Sequence, residues 1–215
     1  PDNETIHTFD ATELGSHTFT YTHQYLDDNP QITMADVYTI TATVTDDDTA
    51  QDTASTSVKV TNVTPLIDLD PVASIDEDGI AVLTGTITDP GTLDTYTVTV
   101  NWGDSVIAGN TQEYLLPASD TGNQAFEFTH QYVDDRPIDT SSDIFTITAT
   151  VTDDDTRATT DTTHVTVNNV APVISIDPVD DILENDSVTL SVTITDPGTL
   201  DTFTLVVYWG DAITT

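Results

Sequence analysis

The sequence predicts an all-β chain of tandem antiparallel β-sandwiches, and three observations predict it. Thr makes up about a fifth of the 215 residues and, with Val, Ile, Tyr and Phe, belongs to the set that fits a pleated, half-buried surface. Apolar residues recur at every second position in short runs bounded by Asp, Gly, Pro, Asn and Ser clusters. The third observation is a repeat: TDPGTLDTYTVTVNWGD at residues 88–104 returns as TDPGTLDTFTLVVYWGD at 195–211.

Asp89 and Asp196 stand 107 residues apart, and the same spacing separates His23 from His130, Val44 from Val151 and Pro65 from Pro172. The register never slips. The chain therefore divides into the back part of one repeat over 1–64, a complete repeat over 65–171 and the front part of another over 172–215, cut from a longer array. Units this alike are expected to share one mechanical task.

The complete repeat predicts strands near 65–70, 80–88, 95–102, 106–115, 125–132, 144–152 and 161–168. Period 2 turns Tyr96, Val98, Val100 and Trp102 inward on the third strand, with Thr95, Thr97 and Thr99 outward. On the fifth strand Phe126, Phe128, His130 and Tyr132 face inward. On the sixth, Phe145, Ile147, Ala149 and Val151 face inward and Thr146, Thr148 and Thr150 outward. Seven short strands with a Trp near the end of the third suggest an immunoglobulin-like sandwich. Burying these side chains at about 1.5–3 kcal/mol each is the expected driving force.

The strand and turn YTVTVNWGD, the later HQY and the run TITATVTDDD leading to NVAP resemble the PKD (polycystic kidney disease) repeat. That family's pattern includes a WxFGDG-like turn, an HxY element and a VTD strand end. The resemblance covers all 215 residues in one phase or another. It departs at Ser105 and Ala212, where the family has Gly after WGD, and in a longer stretch between that turn and the VTD strand. Both departures concern loops rather than the sandwich.

Charge narrows the function classes. Thirty-eight acidic side chains face Lys59, Arg136 and Arg157, a formal charge of −35 that disfavours nucleic acid and anionic membrane surfaces and favours cations. Asp far outnumbers Glu, a bias toward turns and oxygen-ligand metal sites. Without Cys there is no disulfide framework and no thiolate chemistry. No apolar run is long enough to insert in a membrane.

In the immunoglobulin topology the B–C and F–G loops share the pole at which the chain enters from the preceding domain. Here these are DPGTLD with Asp89 and Asp94, the run Asp153, Asp154 and Asp155, and a linker carrying Asn62. Calcium takes 6–8 oxygens, which Asp, Asn and backbone carbonyls can supply. Some PKD domains bind calcium with matching elements, so the resemblance implies Asn62, Asp89, Asp94 and Asp153 as ligands. It implies equivalent roles for Asp46 in the first part-repeat and for Asn169, Asp196 and Asp201 in the last. The alternative is that these Asp side chains cap turns on a solvated pole. The opposite pole is acidic too, through Asp104, Asp134 and Asp135, and would face the next repeat's cation pole, so that repulsion or a second, bridging cation decides the joint; the alternative there is a pair of solvated turns, with Arg136 easing one copy.

Other signals carry less. The DTG of Asp120, Thr121 and Gly122 occurs once, whereas an aspartic protease needs two such loops. His23 and His130 read as core histidines bonding to the Tyr corner rather than as metal ligands, and Trp102 and Trp209 as core rather than sugar-stacking residues. Asn3, Asn62 and Asn185 begin glycosylation-type triplets in a chain where Asn and Thr are common. Lys59 has Thr166 at its equivalent position, so a Lys crosslink is not general to the repeats. No catalytic constellation emerges, and an enzyme is not expected.

The sequence thus leads to a spacer or shaft of a large extracellular or cell-surface adhesin, fibre or surface layer, stiffened by calcium between adjacent repeats of the same chain. The alternatives are a carbohydrate-binding accessory module, for which only Tyr208 and Tyr114 are plausible contacts, or lateral assembly with copies of itself into a filament.

Overall fold

A computed structural model of the chain describes residues 4–9, 18–28, 32–105, 109–136 and 140–211. These residues are all-β, and no helix among them is long and apolar enough to cross a membrane. In chain order the strands are β1 (Ala35–Thr45), β2 (Gln51–Thr61), β3 (Leu66–Leu69), β4 (Ile75–Asp76), β5 (Gly79–Thr88), β6 (Tyr96–Asn101), β7 (Thr111–Leu116), β8 (Asn123–Tyr132), β9 (Ser142–Asp153), β10 (Ala158–Asn168), β11 (Val173–Ile176) and β12 (Val192–Thr195).

Strands β3 to β10 form two sheets. One has the order β3-β5-β8 and the other β4-β10-β9-β6-β7, antiparallel throughout except where β4 runs parallel to β10. Both contribute to one core: Leu83, Ile87, Phe126, Phe128 and Tyr132 from the first, and Tyr96, Val98, Val100, Ile147, Val151, Val165 and Val167 from the second. The strict alternation of β6, β8 and β9 places these residues, since side chains two apart share a face. Phe145 is half-buried at the margin. Outward Thr residues pair across strands instead, as in Thr150 with Thr160 at 2.8 Å and, one repeat earlier, Thr43 with Thr53 at 3.0 Å.

Trp102 follows β6 and is fully buried. Its indole N–H donates to Gln112 Oε1 at 3.2 Å, and its carbonyl accepts the Tyr132 hydroxyl at 2.7 Å. Gly103 turns the chain at φ +77°, where a Cβ would lie 2.5 Å from Thr146 O, so the WGD turn needs a residue without a side chain.

Two expectations about this region change. His130 is buried, but it stacks on Trp102 and approaches Asp104 Oδ2 at 3.4 Å; Tyr132 meets it edge-on while its hydroxyl turns to Trp102. The strand expected over 106–115 begins at Thr111, because Gly109 adopts φ +99°; residues 106–108 lie outside the described set. The two-residue β4 was too short for an alternation signal.

The flanking part-repeats reproduce the same elements. The β1–β2 hairpin pairs Ala35 with Thr61, and β9–β10 pairs Ser142 with Asn168, each 107 residues on, in the same register. Strands β11 and β12 match β3 and the end of β5. No second sheet covers these segments among the described residues. His23 and Trp209, expected in a core, are therefore exposed, as are Ile40 and Val44, whose equivalents Ile147 and Val151 are fully buried. Asn3 lies outside the described residues.

Candidate metal centre at the joint between repeats

The loop joining β5 to β6 turns back on itself. Asp89 Oδ1 accepts the Gly91 N–H at 2.8 Å, and the Asp89 N–H donates to Gly122 O at 2.8 Å. Gly122 sits at φ +67° with a hypothetical Cβ only 2.2 Å from Asp89 O, so this contact depends on a glycine. The fold brings the β9–β10 turn alongside. There Asp153 Oδ1 accepts the Arg157 N–H at 2.6 Å, and Asp153 Oδ2 accepts the Asn62 side-chain amide at 3.0 Å.

Carboxylate oxygens of Asp89, Asp94 and Asp153 lie within 4.8 Å of one another, as do those of Asp94, Asp154 and Asp155. The preceding repeat adds a third group at the same spacing, Asp27 and Asp28 with Asp155. Asp155 Oδ1 also accepts the Thr33 N–H at 2.9 Å, tying the turn to the preceding segment. Asp28, Asp89, Asp94 and Asp155 are all at least 98 % buried.

Turn capping and metal ligation, posed as alternatives by the sequence, do not exclude one another, because capping occupies only one oxygen of a carboxylate. Asp89 uses Oδ1 to cap, while its Oδ2 is buried without a hydrogen-bond partner among the described residues. The same is true of Oδ2 of Asp28 and Asp94 and of Oδ1 of Asp154. Buried carboxylate oxygens without donors are costly, and the cost falls on the charged form. Burial accordingly pushes Asp89 up to about 6, against the help of the Gly91 N–H and with the charges of Asp153, Asp27 and Asp154 adding to the rise. Asp94 is raised further, by burial first and then by Asp89 and Asp27. Asp28 is raised by burial and by its hydrogen bond to Asp155.

These groups could hold a divalent cation, which would favour the charged form of each acid and supply a partner for the orphaned oxygens; an all-oxygen set of this kind fits the ligand chemistry of calcium. Asn62 stands beside the cluster as a donor to Asp153.

The second joint repeats the first. Thr92 N–H donates to Leu26 O at 3.3 Å, and Thr199 N–H to Val133 O at 3.2 Å. Asp196 Oδ1 accepts the Gly198 N–H at 2.8 Å, as Asp89 does from Gly91, and its Oδ2 is likewise orphaned. Asp196 and Asp201 gather with Glu77, and Glu77 gathers with Asp134 and Asp135.

The remaining residues of the expected set sit differently. Asp46 is exposed in the β1–β2 turn and caps it, accepting the Asp48 and Ala50 N–H groups at 3.1 and 2.8 Å. It is the repeat equivalent of Asp153, 107 residues earlier, but gathers with no other acids among the described residues. Asn169 is exposed in the linker, its N–H donating to Ser141 O at 3.2 Å. Asp104 faces His130 rather than the joint, and Arg136 Nε donates to Asp134 Oδ2 at 3.1 Å.

Asp27, Asp28 and Glu77 were not expected as ligands. For the two Asp residues a signal existed, since they are the equivalents of Asp134 and Asp135 on the acidic opposite pole. For Glu77 the signal lay in the repeat, since the position 107 residues on is again a Glu, Glu184, while its neighbours change; DEDG alone reads as an ordinary turn. Comparison with protein-family models and with curated proteins gave no match.

Proposed function

We propose that this chain is a stretch of an extracellular spacer or shaft in which successive PKD-type sandwiches are stiffened by calcium at their joints. The reading rests on one observation above all: buried carboxylates with orphaned oxygens gather where one repeat meets the next, drawing Asp27 and Asp28 from one and Asp89, Asp94 and Asp155 from the other. Without a counter-ion those charges oppose docking; with one they become the fastening. A surface-protein setting is consistent with this, since extracellular modules bind calcium at affinities near 10⁻⁴–10⁻³ M, a typical range for such sites.

Small-angle scattering with calcium and with chelator tests the proposal. The expected result is a longer, stiffer particle and a higher melting temperature with calcium. Identical profiles and melting points in the two conditions count against it. Of the two contacts of the glycan-binding alternative, Tyr114 stacks on Phe128, while Tyr208 is exposed as that reading requires but lies in the part-repeat whose strands have no facing sheet among the described residues.

A further inference from the structure

Glu77 lies in the tight turn between β4 and β5 and is 97 % buried. Its backbone N–H donates to Asn168 O at 2.9 Å, and its Oε1 accepts the Val170 N–H at 2.6 Å. The carboxylate is thus pinned to the linker that leads into the next repeat. Its Oε2 is buried and orphaned among the described residues. This oxygen points at the following repeat: a Cβ on Gly198 would lie 2.4 Å from it and 2.8 Å from Asp201 Oδ2. Asp135 Oδ2 and Asp196 Oδ2 are orphaned in the same place. Among the described residues Arg136 pairs with Asp134.

The geometry points to a second divalent-cation site, in which Glu77, Asp134 and Asp135 of the complete sandwich hold a calcium-like ion together with Asp196 and Asp201 of the next repeat. The five carboxylates form two triads that share Glu77, each with its oxygens within 4.8 Å. Such a set suits a cation with a large and irregular oxygen shell better than magnesium, which demands a near-ideal octahedron. The ion would fasten three segments: the β4–β5 turn, the stretch after β8, and the loop over 196–201. The repeat keeps this acid, since the residue equivalent to Glu77 at the 107-residue spacing is Glu184. This inference rests on the calcium reading of the joints.

Calorimetric titration of the 215-residue chain with calcium chloride, with native mass spectrometry for stoichiometry, tests it. The wild type is expected to bind at least two ions. Glu77→Gln keeps an oxygen for the Val170 N–H but loses the charge, and should lose one ion or weaken it at least about tenfold, the low end of what removing even an outer-shell partner costs. Asp89→Asn should weaken the other ion and spare this one. If Glu77→Gln fails to fold, Gly198→Ala decides, since its methyl displaces Glu77 Oε2 and should cost the same ion. A variant that folds and binds as the wild type does overturns the Glu77 site while leaving the first joint intact. Absence of calcium binding by the wild type overturns both readings.

Discussion

At the scale of single residues, the core of the complete repeat hangs on a few polar contacts made by aromatic side chains. The Tyr132 hydroxyl reaches the Trp102 carbonyl at 2.7 Å in a fully buried setting. Tyr132→Phe leaves that carbonyl without its donor and should cost about 1–3 kcal/mol in denaturant unfolding. The acids behave in the opposite sense. The folded chain raises Asp89 from 3.8 to about 6, so in chelator it holds the proton more tightly than the unfolded chain does. Its stabilising effect is complete below the unfolded value and is lost as pH rises through the folded one. Asp94, raised in the same direction, extends the loss to higher pH. The melting temperature in chelator should therefore rise as pH is lowered from about 8 to about 5, until other acids intervene. Calcium should oppose that trend, because protons and the ion compete for the same oxygens.

At the scale of elements, alternation made the strands legible, and turns and short pieces limited the reading. Period 2 in Tyr96, Val98 and Val100 and in Phe126, Phe128, His130 and Tyr132 assigned both strand and face. The same rule placed His23 and Trp209 inward, but parity gives only a side of a strand. Burial needs a facing sheet, which those segments lack among the described residues. The acidic pole was legible as far as topology reaches, because loops at one end of a sandwich must converge. That Asp27, Asp28 and Glu77 meet the neighbouring repeat's acids depends on how two bodies dock, which alternation does not encode, although the 107-residue spacing pairs them with Asp134, Asp135 and Glu184. Gly122 shows how closely this loop is built. Gly122→Ala meets both a positive φ and the Asp89 carbonyl, and should destabilise by more than about 1 kcal/mol and weaken calcium binding at the first joint.

At the scale of the whole molecule, the sandwich over 66–168 and the two part-repeats differ in cover. The β9–β10 hairpin lies over a core, whereas the equivalent β1–β2 hairpin leaves Ile40 and Val44 exposed. Hydrogen exchange should report this directly, with β6 and β9 amides the slowest and β1–β2 amides exchanging markedly faster at equal register. The charge of −35 sets the other global property. In chelator the acids of successive repeats repel, and salt should compact the particle by screening; with calcium bound at the joints that salt dependence should shrink.

The central claim is that orphaned carboxylate oxygens at the joints are cation ligands. Anomalous diffraction from crystals grown with calcium tests it at the atoms themselves. The account predicts a peak among Asp89, Asp94 and Asp153 with oxygens at about 2.3–2.6 Å. Carboxylates paired directly through shared protons, with no anomalous density between them, would contradict it.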